Sequence, residues 1–387
     1  MKKARLAVLA CMLAAAAVPA AQMLTRWFSM RLPEVRDVDY TRYCISALVG
    51  LRAGWHRLYD LDAQHEVARS LGDPYFAPNV YTPPMSILMV PFTGLSLEHG
   101  FLVWSALLLC FLIVCWHLLA PGDAPARAVQ LAMVFAPYPV ALGLMHGQVI
   151  PLQMCLLAVS YVLLERGRDF SAGALLCVMA LKPQGLHLIP FALLAAGRKR
   201  AFAGWAVAMA IVGVAVFALI RFDGAMAYMQ RLAWARANPQ DMMVAWSYTL
   251  ARRFDSAATR AVALTAVAGL ALIAAFRHRR QPAIVYAAGI VGSLLASPYL
   301  HLYDFMLLFP AAWLLLRVAP AAWVVPPLLA CYLFLLLSTH SGPGARWVLL
   351  CECIWICAFA CTPPRWVAAR SQTNVSPAES GSDDRAR

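Results

Sequence analysis

Charged residues are scarce in this chain. Asp, Glu, Lys and Arg make up 13% of the 387 residues, whereas 62% of the residues are hydrophobic. Soluble domains average about 25% charged and about 45–50% apolar residues, so this composition excludes an ordinary soluble protein. The sequence therefore predicts an integral membrane protein.

The sequence also offers no disulfide framework. Ten of its 11 cysteines lie in apolar runs, and only Cys44 falls in a polar loop, where a partner would need to be exposed as well. Cys353, Cys357 and Cys361 share one helix face, which packing explains better than a metal cluster. No metal and no cofactor is predicted.

No repeat at a fixed period is present in the sequence, which counts against transporters built from duplicated halves.

Long apolar runs recur along the whole chain. A helix needs about 20 residues to cross the hydrocarbon core, and shorter runs cross where the bilayer thins. The sequence predicts an all-α bundle of about 10–12 transmembrane helices. The runs are 5–24, 101–119, 128–145, 149–164, 171–196, 201–221, 258–276, 283–296, 303–317, 320–338 and 346–361.

The two ends of the chain differ from this pattern. Residues 1–22 also have the form of a signal peptide, but the many later spans favour an uncleaved first helix. The polar, Ser-rich residues 363–387 predict a disordered cytoplasmic tail. The membrane domain is therefore 1–362, with a large first outer loop at about 25–100.

Basic short loops set the predicted orientation. Lys and Arg are frequent in the loops 165–169, 197–200 and 277–280 and in the tail. The positive-inside rule therefore places these segments on the cytoplasmic side of a bacterial inner membrane. The net charge of +13 follows from this topology and indicates no nucleic-acid partner. Alternation then puts 25–100, 146–148, 222–257 and 297–304 on the outer, periplasmic face. It also requires 81–100 to stop short of crossing and 171–196 to form a hairpin around Lys182 and Pro183.

Carboxylates are concentrated in the first outer loop. Seven of the 19 acidic residues fall at positions 34–73 of this loop, and four of them read most simply as solvated. Asp37 and Asp39 differ because they lie near the membrane boundary beside Arg42 and Tyr43. Burial and a nearby cation both shift the pKa of a carboxylate, so a carboxylate in this position suits the role of a general base. Asp39 is the predicted base, and Asp37 supports it by orienting Arg42 or sharing a hydrogen bond.

Cations lie at the outer membrane ends. Lys182 stands inside an apolar run, at a cost of at least about 2.5–3.5 kcal/mol, so it should have an anionic partner. His301, Arg252 and Arg253 join it as predicted binders of an anionic phosphate, although the arginines could simply anchor to head groups. A lipid-linked sugar phosphate places its leaving group at this level, where cations stabilise the growing charge.

Several motifs resemble glycosyltransferase family 87. These are "DYTRYCISALVGLRAGWHRLYD" (39–60), "YTPP" (81–84), "GQ" (147–148), "KPQ" (182–184) and "SPYLHLYD" (297–304), in that order. The resemblance implies a GT-C-type membrane enzyme that transfers a hexose, often mannose, from a polyprenyl-phosphate donor to a lipid or glycan hydroxyl. It matches Asp39 to the base and Lys182 and His301 to positions near the donor phosphate. The residues expected to position acceptor or donor are Tyr43, Tyr81, Gln148, Tyr299 and Asp304.

Two other classes remain open at this point. A transporter or flippase of a lipid-linked sugar could use the same cations. It needs charged residues along a path through the bilayer, however, and apart from Lys182 the mid-helix positions carry almost no charged residues. A non-enzymatic scaffold leaves Lys182 unexplained. An inverting hexosyltransferase, whose partners are the lipid-linked donor, the acceptor and membrane lipids, accounts for more of the residues.

Overall fold

The computed structural model describes residues 2–73, 76–237, 249–318, 324–338 and 344–361, and in these ranges the chain contains helices and no strand. The predicted tail lies outside the described residues. The α-helices are α1 (Lys2–Phe28), α2 (Leu32–Arg36), α3 (Asp39–Ala53), α4 (Leu61–Ser70), α5 (Pro83–Met89), α6 (Leu97–Leu119), α7 (Ala124–Phe135), α8 (Tyr138–Met145), α9 (Ile150–Glu165), α10 (Asp169–Leu175), α11 (Ile189–Ala195), α12 (Lys199–Ala237), α13 (Ala257–Arg277), α14 (Pro282–Ala296), α15 (Leu308–Arg317), α16 (Val325–Leu336) and α17 (Gly344–Cys361). Short 3-10 helices span Trp55–Arg57, Val90–Phe92, Leu176–Ala180, Pro183–Gly185, Leu250–Arg253 and Leu302–Leu307.

Within the described ranges, four helices are long and apolar enough to cross a membrane: Leu9–Phe28, Leu97–Leu119, Lys199–Ala237 and Ala257–Arg277. The pair α7 and α8 passes the same test together, bent by 67°. The prediction of an all-α, multi-pass membrane protein is confirmed. Six further apolar helices have only 10–17 residues, so the number of ten to twelve crossings stays a prediction.

The longest helix runs past its predicted end. The apolar run predicts a span that stops at 221, but α12 continues to Ala237 and changes direction at Arg221, whose φ is 60°. Its second half packs against the 3-10 helix Trp55–Arg57, and Tyr228 stacks on Tyr59 with ring centroids 4.7 Å apart. The outer loop is therefore held against a helix that the sequence pattern treats as loop.

The helix is interrupted in both of the segments that the sequence predicts not to cross the membrane in a single span, 81–100 and 171–196. The segment 81–100 contains only the short α5 and the 3-10 helix Val90–Phe92 before α6 begins at Leu97. Pro83 and Pro84 start α5, because proline fits the first helical positions, where no N–H partner is needed. The stretch 171–196 is interrupted at Lys182, whose φ of −158° is extended. The non-crossing of 81–100 and the hairpin at 171–196 stay predictions.

The centre of the bundle is α14. Thirteen of its 15 residues are buried, and α11, α13, α15 and α17 pack around it. At Gly289 a side chain would place its Cβ 2.9 Å from the Cα of Ile189, so only glycine permits this close approach of α11. All 11 cysteines are free thiols, and Cys44 is buried in α3. The bundle is thus held by packing, and it brings the breaks beside α3 and α8.

Candidate active site

Asp39 opens α3 at the point where the outer loop meets the bundle. Its carboxylate accepts a hydrogen bond from the hydroxyl of Tyr81 at 2.7 Å and another from the Nε2 of Gln148, and the Nδ1 of His146 lies 3.5 Å away. The side chain keeps 16% of its surface exposed. The carboxylate is therefore enclosed by donors but can still be reached by a hydroxyl group.

The surroundings of Asp39 keep it ionised. Burial raises its pKa, but the hydrogen bond and charge interaction with His146 and the hydrogen bond from the Tyr81 hydroxyl outweigh burial and hold the pKa well below its usual range. The carboxylate is thus the form present throughout the physiological pH range. An ionised carboxylate is the form that can accept a proton.

Two elements fix the donors around Asp39. The backbone of Tyr81 is held by the side chain of Asn79, which accepts from its N–H at 2.9 Å, and by the hydroxyl of Tyr59, which donates to its carbonyl at 2.7 Å. The edge of the Tyr43 ring meets Tyr81, with centroids 4.5 Å apart. Tyr43 therefore supports the Tyr81 ring from a buried position on α3.

The turn after α8 carries His146 and Gln148. Gly147 has a φ of 68°, and a Cβ there would lie 2.9 Å from the Cβ of Tyr40, so the tight turn requires glycine. The indole of Trp104 donates to the carbonyl of Gly147 at 2.7 Å, and the N–H of Tyr40 donates to the carbonyl of His146 at 3.1 Å. The turn is clamped to α3 and α6, which aims the Gln148 side chain at Asp39.

Gln148 joins two charged groups. Its Nε2 donates to Asp39, and its Oε1 accepts from the ammonium of Lys182 at 3.2 Å. This orientation of the amide is the one that satisfies both neighbours, since a carboxylate only accepts and an ammonium only donates. Gln148 is fully buried. One side chain therefore fixes the spacing between the carboxylate of Asp39 and the cation of Lys182.

Lys182 was predicted to have an anionic partner of unspecified identity, and the structure pairs it with Asp304. The ammonium lies 2.6 Å from the Oδ1 of Asp304, and the two side chains are only 6% and 3% exposed. The ammonium also sits over the ring of Tyr303, 4.2 Å from its centroid. A buried cation with a carboxylate, an amide oxygen and an aromatic face is well compensated.

At the break around Lys182, the backbone carbonyl groups accept hydrogen bonds from distant side chains. The Nε2 of Gln153 donates to the carbonyl of Lys182 at 2.7 Å. The hydroxyl of Thr82 lies within hydrogen-bond reach of the carbonyls of Ala180 and Leu181, at 2.7 and 3.0 Å. Carbonyls freed from a helix inside a membrane protein need such partners. The break is therefore stabilised by tertiary hydrogen bonds, and it places Lys182 at the site.

His301 lies beside Lys182 and is neutral at neutral pH. Burial and the positive charge of Lys182 lower its pKa to about 4, against the opposing effect of Asp304. Its Nε2 shares a hydrogen bond with the hydroxyl of Tyr299 at 2.6 Å, and its backbone N–H donates to Asp304 at 2.7 Å. The sequence predicted a basic group here, whereas this arrangement offers a neutral hydrogen-bonding ring.

The remaining predicted residues do not join this group. Asp37 pairs with Arg42 at 3.3 Å, and its side chain is 60% exposed; its supporting role stays a prediction. Arg252 and Arg253 are exposed on the 3-10 helix Leu250–Arg253.

Two residues belong to the site that the predicted set omits. His146 precedes the "GQ" pair, and Tyr303 lies inside "SPYLHLYD". The His146 ring lies 6.3 Å from the Tyr303 ring, which in turn stacks on His301 at 4.7 Å. Their place in the motifs was a signal. Their roles depend on contacts between segments far apart in the chain, which a single sequence does not contain.

Comparison with known proteins identifies the chain at the level of a family. No curated protein and no solved structure matches the chain significantly. The model of glycosyltransferase family 87 matches residues 79–298, which is more than half of the 387 residues. This range contains the turn at Gly147, the break at Lys182 and Tyr81. The chain belongs to glycosyltransferase family 87.

Proposed function

We propose that this glycosyltransferase moves a hexose, with mannose as the first candidate, from a polyprenyl-phosphate donor to a hydroxyl of a lipid or glycan acceptor. The reaction inverts the anomeric centre and takes place at the periplasmic face of a bacterial inner membrane, in a bundle of the GT-C type. One observation carries this proposal: the ionised Asp39 is joined through Gln148 to the buried pair of Lys182 and Asp304. A base and a cation are thereby held at a fixed separation.

The first half of the reaction uses the carboxylate. The acceptor hydroxyl replaces one of the donors on Asp39 and attacks the anomeric carbon, and its proton passes to the carboxylate. The 16% exposure of Asp39 gives the hydroxyl access. One displacement on one face of the sugar accounts for inversion. The products are the new glycoside and the polyprenyl phosphate.

The second half uses the cation. As the bond between the anomeric carbon and the phosphate oxygen breaks, negative charge grows on the phosphate. The ammonium of Lys182 has three N–H groups, of which Asp304 and Gln148 take two. The third would donate to a phosphate oxygen in place of its contact with the ring of Tyr303. A neutral His301 adds an N–H donor without competing with Lys182 for the same charge.

A transporter or flippase of a lipid-linked sugar is the alternative. It would use Lys182 to hold the phosphate, but it would have no use for a carboxylate kept ionised by three donors. Membership of a glycosyltransferase family also favours transfer over transport.

The test compares membranes that contain wild type, Asp39→Asn and Asp37→Asn, supplied with radiolabelled polyprenyl-phosphate mannose. Label should enter a new lipid or glycan with wild type and with Asp37→Asn, whose exposed carboxylate is the matched control. Asp39→Asn should lose about 10²–10⁴-fold in rate, the usual contribution of a general base. Equal transfer by all three proteins would refute Asp39 as the base. Failure of wild type with every polyprenyl-phosphate hexose would refute the donor class.

A further inference from the structure

A cavity lies between α1, the end of α6 and α7. Its volume is about 680 Å³, and its wall is made largely of small and apolar side chains, among them Ala17, Leu24, Leu131 and Phe135. Trp116, His117 and Arg127 provide its polar lining. We call it the α1–α7 cavity. A volume of this size suits one ligand with a long apolar portion.

The α1–α7 cavity is separate from the candidate active site. The active-site end of α6 is marked by Trp104, which is bonded to Gly147. Trp116 lies twelve residues further along the same helix, about 18 Å away along its axis. The loop between α6 and α7 is also predicted to face the cytoplasm, whereas Asp39 faces the periplasm. The cavity therefore belongs to the opposite end of the bundle.

Its polar end carries an arginine that is only partly satisfied. The Nη2 of Arg127 donates to the carbonyl of His117 at 2.9 Å, and the guanidinium sits over the ring of Trp116, 5.1 Å from the centroid. The Nε of Arg127 is buried and has no hydrogen-bond partner among the described residues. A buried N–H without a partner costs free energy that a ligand oxygen would restore.

The charge of Arg127 is likewise not balanced within the described part of the chain. No carboxylate there lies within ion-pair distance of its guanidinium. Asp123, one turn earlier, accepts a hydrogen bond from the backbone of Ala126 and so caps α7. Gly122 and Ala124, at the amino end of α7, also line the cavity.

We propose that the α1–α7 cavity binds one anionic phospholipid. Its phosphate oxygens accept from Arg127 and His117, and an acyl chain runs along α7 from Arg127 toward Phe135, a length of about 12 Å. Basic pockets between transmembrane helices at the cytoplasmic side suit anionic head groups, which are concentrated in that leaflet. The lipid would seal α1 against α7.

The test uses the purified full chain, stripped of lipid in detergent. Phosphatidylglycerol or phosphatidylcholine is added at equal mole fractions, and bound lipid is counted by native mass spectrometry alongside the thermal unfolding midpoint. Wild type should retain one phosphatidylglycerol and unfold at a higher temperature with it than with phosphatidylcholine. Arg127→Gln should bind it about ten-fold more weakly or worse, the effect of losing a charge-assisted hydrogen bond.

Two further variants keep the result interpretable. Arg260→Gln is the matched control, because Arg260 is likewise the fourth residue of its helix and lies outside the cavity. Ala21→Trp fills the cavity from an exposed position of α1 and leaves Arg127 intact, so it should also abolish binding. Equal retention of the two lipids, unchanged binding by Arg127→Gln and Ala21→Trp, or retention of polyprenyl phosphate in place of phosphatidylglycerol would each overturn the proposal.

Discussion

At the scale of single residues, the candidate site depends on one amide. Gln148 contacts Asp39 through its nitrogen and Lys182 through its oxygen, so neither charged group can shift without breaking a buried hydrogen bond. A carboxylate or an ammonium at this position would satisfy one neighbour and repel the other. Glutamine is neutral and has both kinds of group, which explains why it serves here.

Gln148→Met therefore tests the bridge. Methionine has a similar length but makes neither hydrogen bond, and each bond to a charged group is worth about 1.5–3 kcal/mol. We expect the transfer rate to fall about 10- to 100-fold, with the protein still folded. Gln130→Met, which removes a glutamine hydrogen bond to Pro121 outside the site, should keep the wild-type rate. A wild-type rate for Gln148→Met would contradict the bridge.

His301 predicts a dependence of stability on pH. Its pKa falls to about 4 in the folded chain, so between about pH 6.5 and about pH 4 the unfolded chain binds a proton that the folded chain does not. The folded state should lose stability as the pH falls through that range, by on the order of 3 kcal/mol at most. Thermal unfolding of the detergent-solubilised chain between pH 7 and pH 4.5 measures the slope.

The slope should be shallower in His301→Gln than in wild type. His99→Gln controls for the loss of an exposed histidine. Parallel slopes for wild type and His301→Gln would show that this ring does not titrate as expected.

At the scale of elements, the broken stretch between α10 and α11 decides where the cation lies. Two 3-10 helices flank Lys182, and the hydroxyl of Thr82 holds the carbonyls just before it. Lys182 and Pro183 predicted a break from the sequence alone. The sequence did not indicate that Thr82 holds it, because this contact joins segments nearly a hundred residues apart.

Thr82→Val removes that support at constant shape. The carbonyls of Ala180 and Leu181 lose their hydroxyl partner, which should destabilise the chain by about 1–3 kcal/mol and displace Lys182, so that the transfer rate falls as well. Thr82→Ser keeps the hydroxyl and should remain close to wild type in both measurements. An unfolding midpoint and a transfer assay on the two variants decide the matter, and equal behaviour would argue against the role of Thr82.

At the scale of the whole molecule, composition and apolar runs were enough to predict an all-α membrane protein. The outer-loop carboxylates and the isolated Lys182 were enough to indicate Asp39, Lys182 and an anionic partner. Sequence reasoning did not find the identity of that partner, the ring of Tyr303 beneath the ammonium, or the continuation of α12 beyond Arg221. Each of these follows from how distant segments pack.

The predicted orientation can be tested on intact cells. Glu165→Cys lies in a basic loop expected in the cytoplasm, and His99→Cys lies in the outer loop; both positions are exposed. Each variant is made in a chain whose 11 native cysteines are replaced, because four of them are exposed thiols. A membrane-impermeant maleimide should label His99→Cys in intact cells and label Glu165→Cys only after the membrane is opened. Labelling of Glu165→Cys from outside would move Gln148 and Lys182 to the cytoplasmic side.

The free cysteines have a consequence for how the chain matures. Cys44, the cysteine of the first outer loop, is buried as a thiol in α3, and α3 carries Asp39. The loop thus reaches its shape through helix packing and through contacts such as Tyr59 on Tyr228. Cells that lack enzymes for making disulfides should therefore still assemble this protein, and its production needs no oxidising compartment.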